Sequence, residues 1–215
     1  MRPSVITLAV LAGLLTVAGS AFGDFVGVPG GQDNASPFMR VFGLAQPPYG
    51  FVNFCERAPR ECAQSLHVEP RFYASPARFA QLEAVNRGVN REIEPVTDLE
   101  LYGQADYWTL PATRGDCEDY VLLKRKRLIA LGWPASALLI TVVRDERGEG
   151  HAVLTARTMQ GDFILDNKTD EIRVWHRVRY RFVMRQSYLN PRVWMSLDPR
   201  ETNPAVPLAG VRGSR

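Results

Sequence analysis

Hydrophobic and polar positions change their period at Pro134. Upstream, Phe79, Leu82 and Val85 recur three residues apart, with Ala80 and Ala84 on the same side, which predicts an amphipathic helix over 76–88. Ser75 and Pro76 supply an N-cap and a first-turn proline, and Val89 and Ile93 extend the pattern until Pro95 stops it. The stretch VTDLELYGQADYWTLP then reads as irregular and rich in turns. A second helix is predicted after Gly115, with Asp116 as N-cap and Asp119 three residues on in the manner of a capping box. Its apolar positions are Tyr120, Val121, Leu123, Leu128 and Leu131. The acids stand at its start and Lys124, Arg125, Lys126 and Arg127 toward its end, both suiting the helix dipole, and Gly132 and Pro134 terminate it.

Beyond Pro134 the pattern turns to β. ALLITVV, HAVLTART and DFILDN read as strands joined by RDERGEG and by the turn at Met159-Gln160-Gly161. IRVW, YRFVMRQ and RVWMSL add three more. Helices followed by an antiparallel meander predict an α+β domain packed on one sheet.

The first residues have a different character. Arg2 precedes an apolar run from Val5 to Ala18 and then the small residues GSAFG, the arrangement of a secretory signal peptide cleaved after Gly23 or Ala21. The organisation read from the sequence is a signal peptide at 1–23, an extended lead-in at 24–50, a single domain at 51–200 and a frayed tail at 201–215. No other stretch is long and apolar enough to span a bilayer, so no stable membrane span is expected after cleavage. Removing residues 1–23 takes away one basic residue of 26 and none of the 23 acids, leaving a net charge of +2 (25 − 23). That balance does not describe a nucleic-acid binder, and the local arginines from Arg173 to Arg200 fit a solvated face or an acidic partner equally. No organic cofactor is expected.

Export gives the three cysteines a meaning. Cys55 and Cys62 lie seven apart in FCERAPREC with Pro59 between them, and read as a local disulfide in an oxidising compartment such as the periplasm or the exterior. Cys117 is left over, and the count alone leaves an inert buried thiol and a reactive one both open. Its setting, Gly115-Asp116-Cys117-Glu118-Asp119-Tyr120, opposes a thiolate through the neighbouring carboxylates and favours it through the helix N-terminus. His151 opens the strand HAVLTART, and Asp166 ends the next, so the chain supplies a thiol, a base and an orienter for that base. His67 and His176 sit in loop and charged surroundings and read as surface residues. Trp108, in DYWTLP, belongs either to the wall of a cleft or to the core.

The segments YWTLPATRGDCEDYVLLKRKRLIALG, GEGHAVL and DFILDN together resemble the bacterial transglutaminase-like cysteine proteinases, the family of the LapG-type periplasmic proteases. The resemblance runs roughly from Leu82 to Leu197. It implies a papain/transglutaminase-like core in which Cys117 is the nucleophile, His151 the base and Asp166 the orienter. It further implies an exported or cell-surface protein substrate, a protein regulator, and calcium held by Asp116 and Glu118 with Asp119. The Cys55/Cys62 loop departs from the best-known members that process adhesins, so a substrate does not carry over. Two other uses of the same residues are acyl transfer to an amine, as in a transglutaminase or amidase, and a non-catalytic binding module on the same fold.

Overall fold

The computed structural model describes residues 35–200, so the expected signal peptide, the first part of the lead-in and the tail 201–215 lie outside the described residues. Seven strands form one sheet in the order β1-β9-β8-β4-β5-β6-β7: β1 is Leu44–Ala45, β4 Leu138–Arg144, β5 Gly150–Thr158, β6 Gly161–Leu165, β7 Arg173–Val174, β8 Arg181–Gln186 and β9 Trp194–Ser196. Every pairing in it is antiparallel. The lead-in contributes an edge strand, with Leu44 opposite Met195, so part of it is built into the sheet.

The helices are α1 (Tyr49–Arg57), α2 (Pro76–Glu92), α3 (Asp98–Tyr102) and α4 (Cys117–Ala130). The short strands β2 (Glu94–Pro95) and β3 (Arg114–Gly115) pair in parallel beside them. Helix α2 starts as the sequence predicts: Ser75 caps it by accepting from the Arg78 amide, and Pro76 occupies the first turn. It runs to Glu92, with Ile93 as C-cap, in line with the extension through Val89 read from the sequence, and Val89 at 0% exposure keeps the apolar stripe in the core.

The stretch read as irregular contains α3. Its capping box is formed by Thr97 and Glu100, which exchange side-chain-to-backbone bonds, and Gly103 closes it in the left-handed region at φ +65°. Five residues are too few to show a helical period, so only the caps could have disclosed it. The box expected at Asp116 and Asp119 is absent. Asp116 is the N-cap residue of α4 but makes no side-chain capping bond: its Oδ2 accepts from the Asp98 amide, while Asp119 Oδ1 accepts from the Thr109 amide.

One face of the sheet, with Ile140, Val142, Ala152, Leu154 and Ala156, packs against Leu82, Val89, Val121 and Leu128 of α2 and α4. Each fully buried aliphatic side chain there contributes roughly 1.5–3 kcal/mol. The other face carries Val143, Val153, Ile164 and Phe182 against Met39 and Leu197. Both faces of β5 are therefore covered, and all nine of its residues are buried. Trp108 has no exposed surface and sits edge-on to Phe51, so it belongs to the core and not to a cleft wall.

The predicted disulfide is present: Cys55 of α1 is bonded to Cys62 in the 3-10 turn Pro59–Cys62. It closes a short loop against α4, where Lys126 Nζ donates to Glu61 Oε1 at 2.8 Å. Loop-closure entropy for a separation of 7 residues gives the bond about 2 kcal/mol. The double variant Cys55→Ser/Cys62→Ser is expected to unfold with about 2 kcal/mol less stability in chemical denaturation. An unchanged midpoint and slope would show that the loop is held by packing alone.

Candidate active site

Cys117 is the first residue of α4 and His151 the second of β5. Helix α4 packs on β5 so that the Ala152 amide donates to the Cys117 sulfur, which brings the thiol beside the backbone of the residue next to His151. His151 donates from Nε2 to Asp166 Oδ1 at 2.8 Å, with the histidine at 1% exposure and the aspartate at 2%. Leu154 pairs with Leu165 across β5 and β6, so Asp166 continues the β6 line on the His151 side of that pair. The bond to Asp166 fixes the tautomer and leaves Nδ1, which is buried and has no partner, as the free basic nitrogen.

Tyr180 was not singled out in the sequence. Its hydroxyl donates to Asp166 Oδ2 at 2.6 Å, and its ring stands edge-on to His151. Only its place in a β-rich stretch marks it, and that signal describes packing. Burial pushes the Asp166 carboxyl up, but the His151 hydrogen bond and charge, the Tyr180 hydroxyl and the Lys168 amide together hold it at about 2. It is therefore ionised wherever a histidine can act as a base.

The surroundings of the thiol are opposed to its ionisation. Burial raises the Cys117 pKa well above the ordinary value, and the Glu118 and Asp116 charges raise it further. The thiol also donates to Glu118 Oε2 at 3.1 Å. Around it lie four shielded carboxyls: Asp98 at 0% exposure, Asp116 at 8%, Glu118 at 1% and Asp119 at 0%. Burial pushes all of them up, Asp116 to about 6 and Asp119 to about 8.

Each has one oxygen satisfied poorly or not at all. Asp98 Oδ1, Asp116 Oδ1, Glu118 Oε1 and Asp119 Oδ2 are buried without a hydrogen-bond partner. Donor atoms of Asp98, Asp116 and Asp119 lie within 4.8 Å of one another, and those of Asp116, Cys117 and Glu118 do likewise. Gly115 keeps the cluster compact, because a Cβ there would sit 2.8 Å from the Asp119 Cβ. Hard, unsatisfied carboxylate oxygens at this density fit a divalent cation such as calcium. Asp98 comes from α3 and is not among the ligands that the family resemblance implies, which are Asp116 and Glu118 with Asp119.

Lys124 lies two turns along α4 with 0% exposure, and its Nζ has no hydrogen-bond partner. Burial lowers its pKa to about 7 against the opposing pull of Asp166 and Asp170. From α2, Asn90 Nδ2 donates to the Asp166 carbonyl at 3.0 Å and Asn86 Nδ2 to the Thr169 carbonyl at 3.0 Å, so this side holds the turn that follows Asp166. His67 is exposed in its loop and His176 half-buried in the 3-10 turn after β7.

The family model for bacterial transglutaminase-like cysteine proteinases matches residues 41–202. The chain belongs to that family. Its members are cysteine peptidases, and the helix-plus-antiparallel-sheet architecture of this proteinase is the transglutaminase-like one. No curated protein matches it. Among solved structures it is similar to calcium-bound LapG of Legionella pneumophila, with 28% identity over 57% of this chain and 71% of that one and a TM-score of 0.48. It is also similar to the EGTA-treated form of LapG, with 27% identity over 58% of this chain and 69% of that one and a TM-score of 0.46. No helix among the described residues of the proteinase is long and apolar enough to cross a membrane.

Two outcomes are expected from these contacts. Lys124 keeps its proton up to about pH 10.5 when unfolded but only to about 7 when folded, so stability rises with pH across that window. Thermal unfolding at successive pH values should show the rise in the wild type and lose it in Lys124→Met. An identical slope in both would mean that the lysine is solvated. Tyr180→Phe removes one of the groups that hold Asp166 ionised and oriented and leaves Asp166 Oδ2 without a donor, so it should slow Cys117 alkylation several-fold at pH 7 and lower stability by about 1–3 kcal/mol.

Proposed function

We propose that the chain is an exported cysteine endopeptidase in which Cys117, His151 and Asp166 act in sequence on a protein substrate. The observation that carries this reading is the pairing of His151 Nε2 with Asp166 while Nδ1 stays buried and free on a strand whose next amide contacts the Cys117 sulfur. His151 Nδ1 takes the thiol proton, and the thiolate adds to the peptide carbonyl carbon. Free amides at the start of α4 stand where the carbonyl oxygen becomes negative. The same nitrogen returns its proton to the leaving amine, the C–N bond breaks, and a thioester remains on Cys117. Water then gives a proton to His151 as its oxygen attacks the thioester, releasing a carboxylic acid and restoring the thiol. Asp166, steadied by Tyr180 and the Lys168 amide, stabilises the imidazolium formed between these steps.

Calcium would be held by Asp98, Asp116 and Asp119, with Glu118 beside the sulfur, and when bound it supplies positive charge against the carboxylates that oppose the thiolate. The role of the chain's own acids is thus to gather a cation, at the expense of the thiol's reactivity while none is there. The signal-peptide pattern from Arg2 to Gly23 supports export to the periplasm or beyond, where the Cys55–Cys62 bond persists.

Iodoacetamide labelling of the oxidised protein, read at Cys117 by mass spectrometry across pH, tests the reading. In millimolar calcium, labelling is expected below pH 8, at least tenfold slower in His151→Ala and slowed likewise by a chelator. Asp116→Ala should lose the calcium response. An ordinary thiol profile, indifferent to His151 and calcium, would sink the peptidase assignment and leave a binding module. Adding a fluorescent primary amine to a cleavage reaction separates hydrolysis from acyl transfer: peptidase products carry a new carboxylate, and transglutaminase products carry the amine.

A further inference from the structure

The far face of the sheet holds a group of charges that the proposed chemistry does not use. Arg157 of β5 stands directly opposite Asp162 of β6. Asp162 has 0% exposure and both its oxygens are engaged. Its Oδ1 accepts from Arg71 Nη1 at 2.7 Å, and its Oδ2 accepts from the Met39 amide at 2.9 Å and from Arg185 Nη1 at 3.3 Å. Arg157 receives none of this. It is 7% exposed, and its Nε and Nη1 are buried with no hydrogen-bond partner. Its guanidinium lies 4.9 Å over the Tyr188 ring, a contact that satisfies the flat face and no N–H.

Three guanidiniums therefore gather near one carboxylate that bonds only two of them. Arg185 and Arg71 act against the charge on Arg157, and Asp162 acts in its favour. A buried carboxyl or lysine can shed its charge, but a guanidinium does not, so a missing anion cannot be replaced by a change of protonation. An ionised group sealed this far from water is found paired.

We propose that Arg157, with Arg185 and Arg71 beside it, forms a binding site for a small oxyanion that accepts from the unpartnered N–H groups of Arg157. The planar fork of N–H groups matches phosphate and carboxylate alike, and neither Arg185 nor Arg71 has more than one nitrogen on Asp162. The site is remote from the thiol. Arg157 follows His151 by six residues on β5, which is roughly 20 Å along a strand at ~3.3 Å per residue. The bound anion stabilises this end of the sheet without entering the peptidase chemistry.

Inorganic phosphate is the probe. Calorimetric titration of the full-length wild type should show saturable binding in the millimolar range or tighter, and phosphate should raise its melting temperature above that in chloride at equal ionic strength. In Arg157→Gln the increment should vanish, and Arg157→Lys, which keeps the charge and loses the fork, should retain less than half of it. The Cys117 alkylation rate should be unchanged by phosphate, so this site can stand or fall independently of the catalytic reading. Acetate that competes with phosphate marks the site as one for carboxylates, and acetate that does not marks it as one for tetrahedral oxyanions; either supports it. An equal phosphate increment in wild type and Arg157→Gln, or no saturable heat with the wild type, overturns it. The wild-type titration decides the matter even where the glutamine variant fails to fold.

Discussion

Four carboxyls shut in around the first turn of α4 set the terms on which this protein can work. Isolated carboxylates are not tolerated in such surroundings, and only two remedies exist: protonation or a cation. The raised pKa values of Asp116 and Asp119 describe the first remedy. The unpartnered oxygens of Asp98, Asp116, Glu118 and Asp119 describe the room kept for the second. Cys117 is bound to whichever prevails, because its thiol donates to Glu118 and its charge competes with that of Asp116. The helix N-terminus alone is worth roughly 0.3–1 kcal/mol in favour of an anion, which is too little against several buried negative charges.

The sheet performs the opposite task for His151. Its neighbours across β4, Val143 to the side and the core around Val153 below, exclude water, while Asp166 arrives on the same side through the β5–β6 register. That carboxylate stays ionised because His151, Tyr180 and the Lys168 amide all donate to it. Burial alone thus does not decide ionisation in this site. Asp119 and Asp166 are both nearly sealed, yet their pKa values stand on opposite sides of neutrality, about 8 and about 2. The number and charge of the donors on each carboxylate account for the difference.

Much of this was legible in the sequence because it rests on local pattern. The period-3 spacing of Phe79, Leu82 and Val85, the Ser75-Pro76 start, the Gly-bounded strands and the position of Cys117 at a helix start are all short-range signals. What escaped depends on contacts between distant segments. Asp98 joins Asp116 only because β2 and β3 pair and carry α3 against the start of α4. Tyr180 reaches Asp166 across the turns that separate them along the chain, and nothing in YRFVMRQ marks it off from a packing aromatic. The capping box at Asp116 failed for the same reason: Asp116 Oδ2 accepts from the amide of Asp98, in another segment, and makes no bond to the first turn of α4.

Lys124 and Arg125 show the limit of reading charge from sequence. A run of four basic residues at the end of a helix looks like a solvated, dipole-compensating face. Lys126 and Arg127 behave so, pairing with Glu61 and Glu92 at the surface. The other two turn inward. Arg125 is satisfied by the Leu138 carbonyl, whereas Lys124 has no hydrogen bond to offset its burial. A methionine would fill that volume without the desolvation penalty, so the charge has a consequence that packing does not require. The carboxylates of Asp166 and Asp170 are the groups that favour it. Lys124 thus keeps its charge against burial only with the help of Asp166 and Asp170, which ties a buried cation of α4 electrostatically to the carboxylate that orients His151.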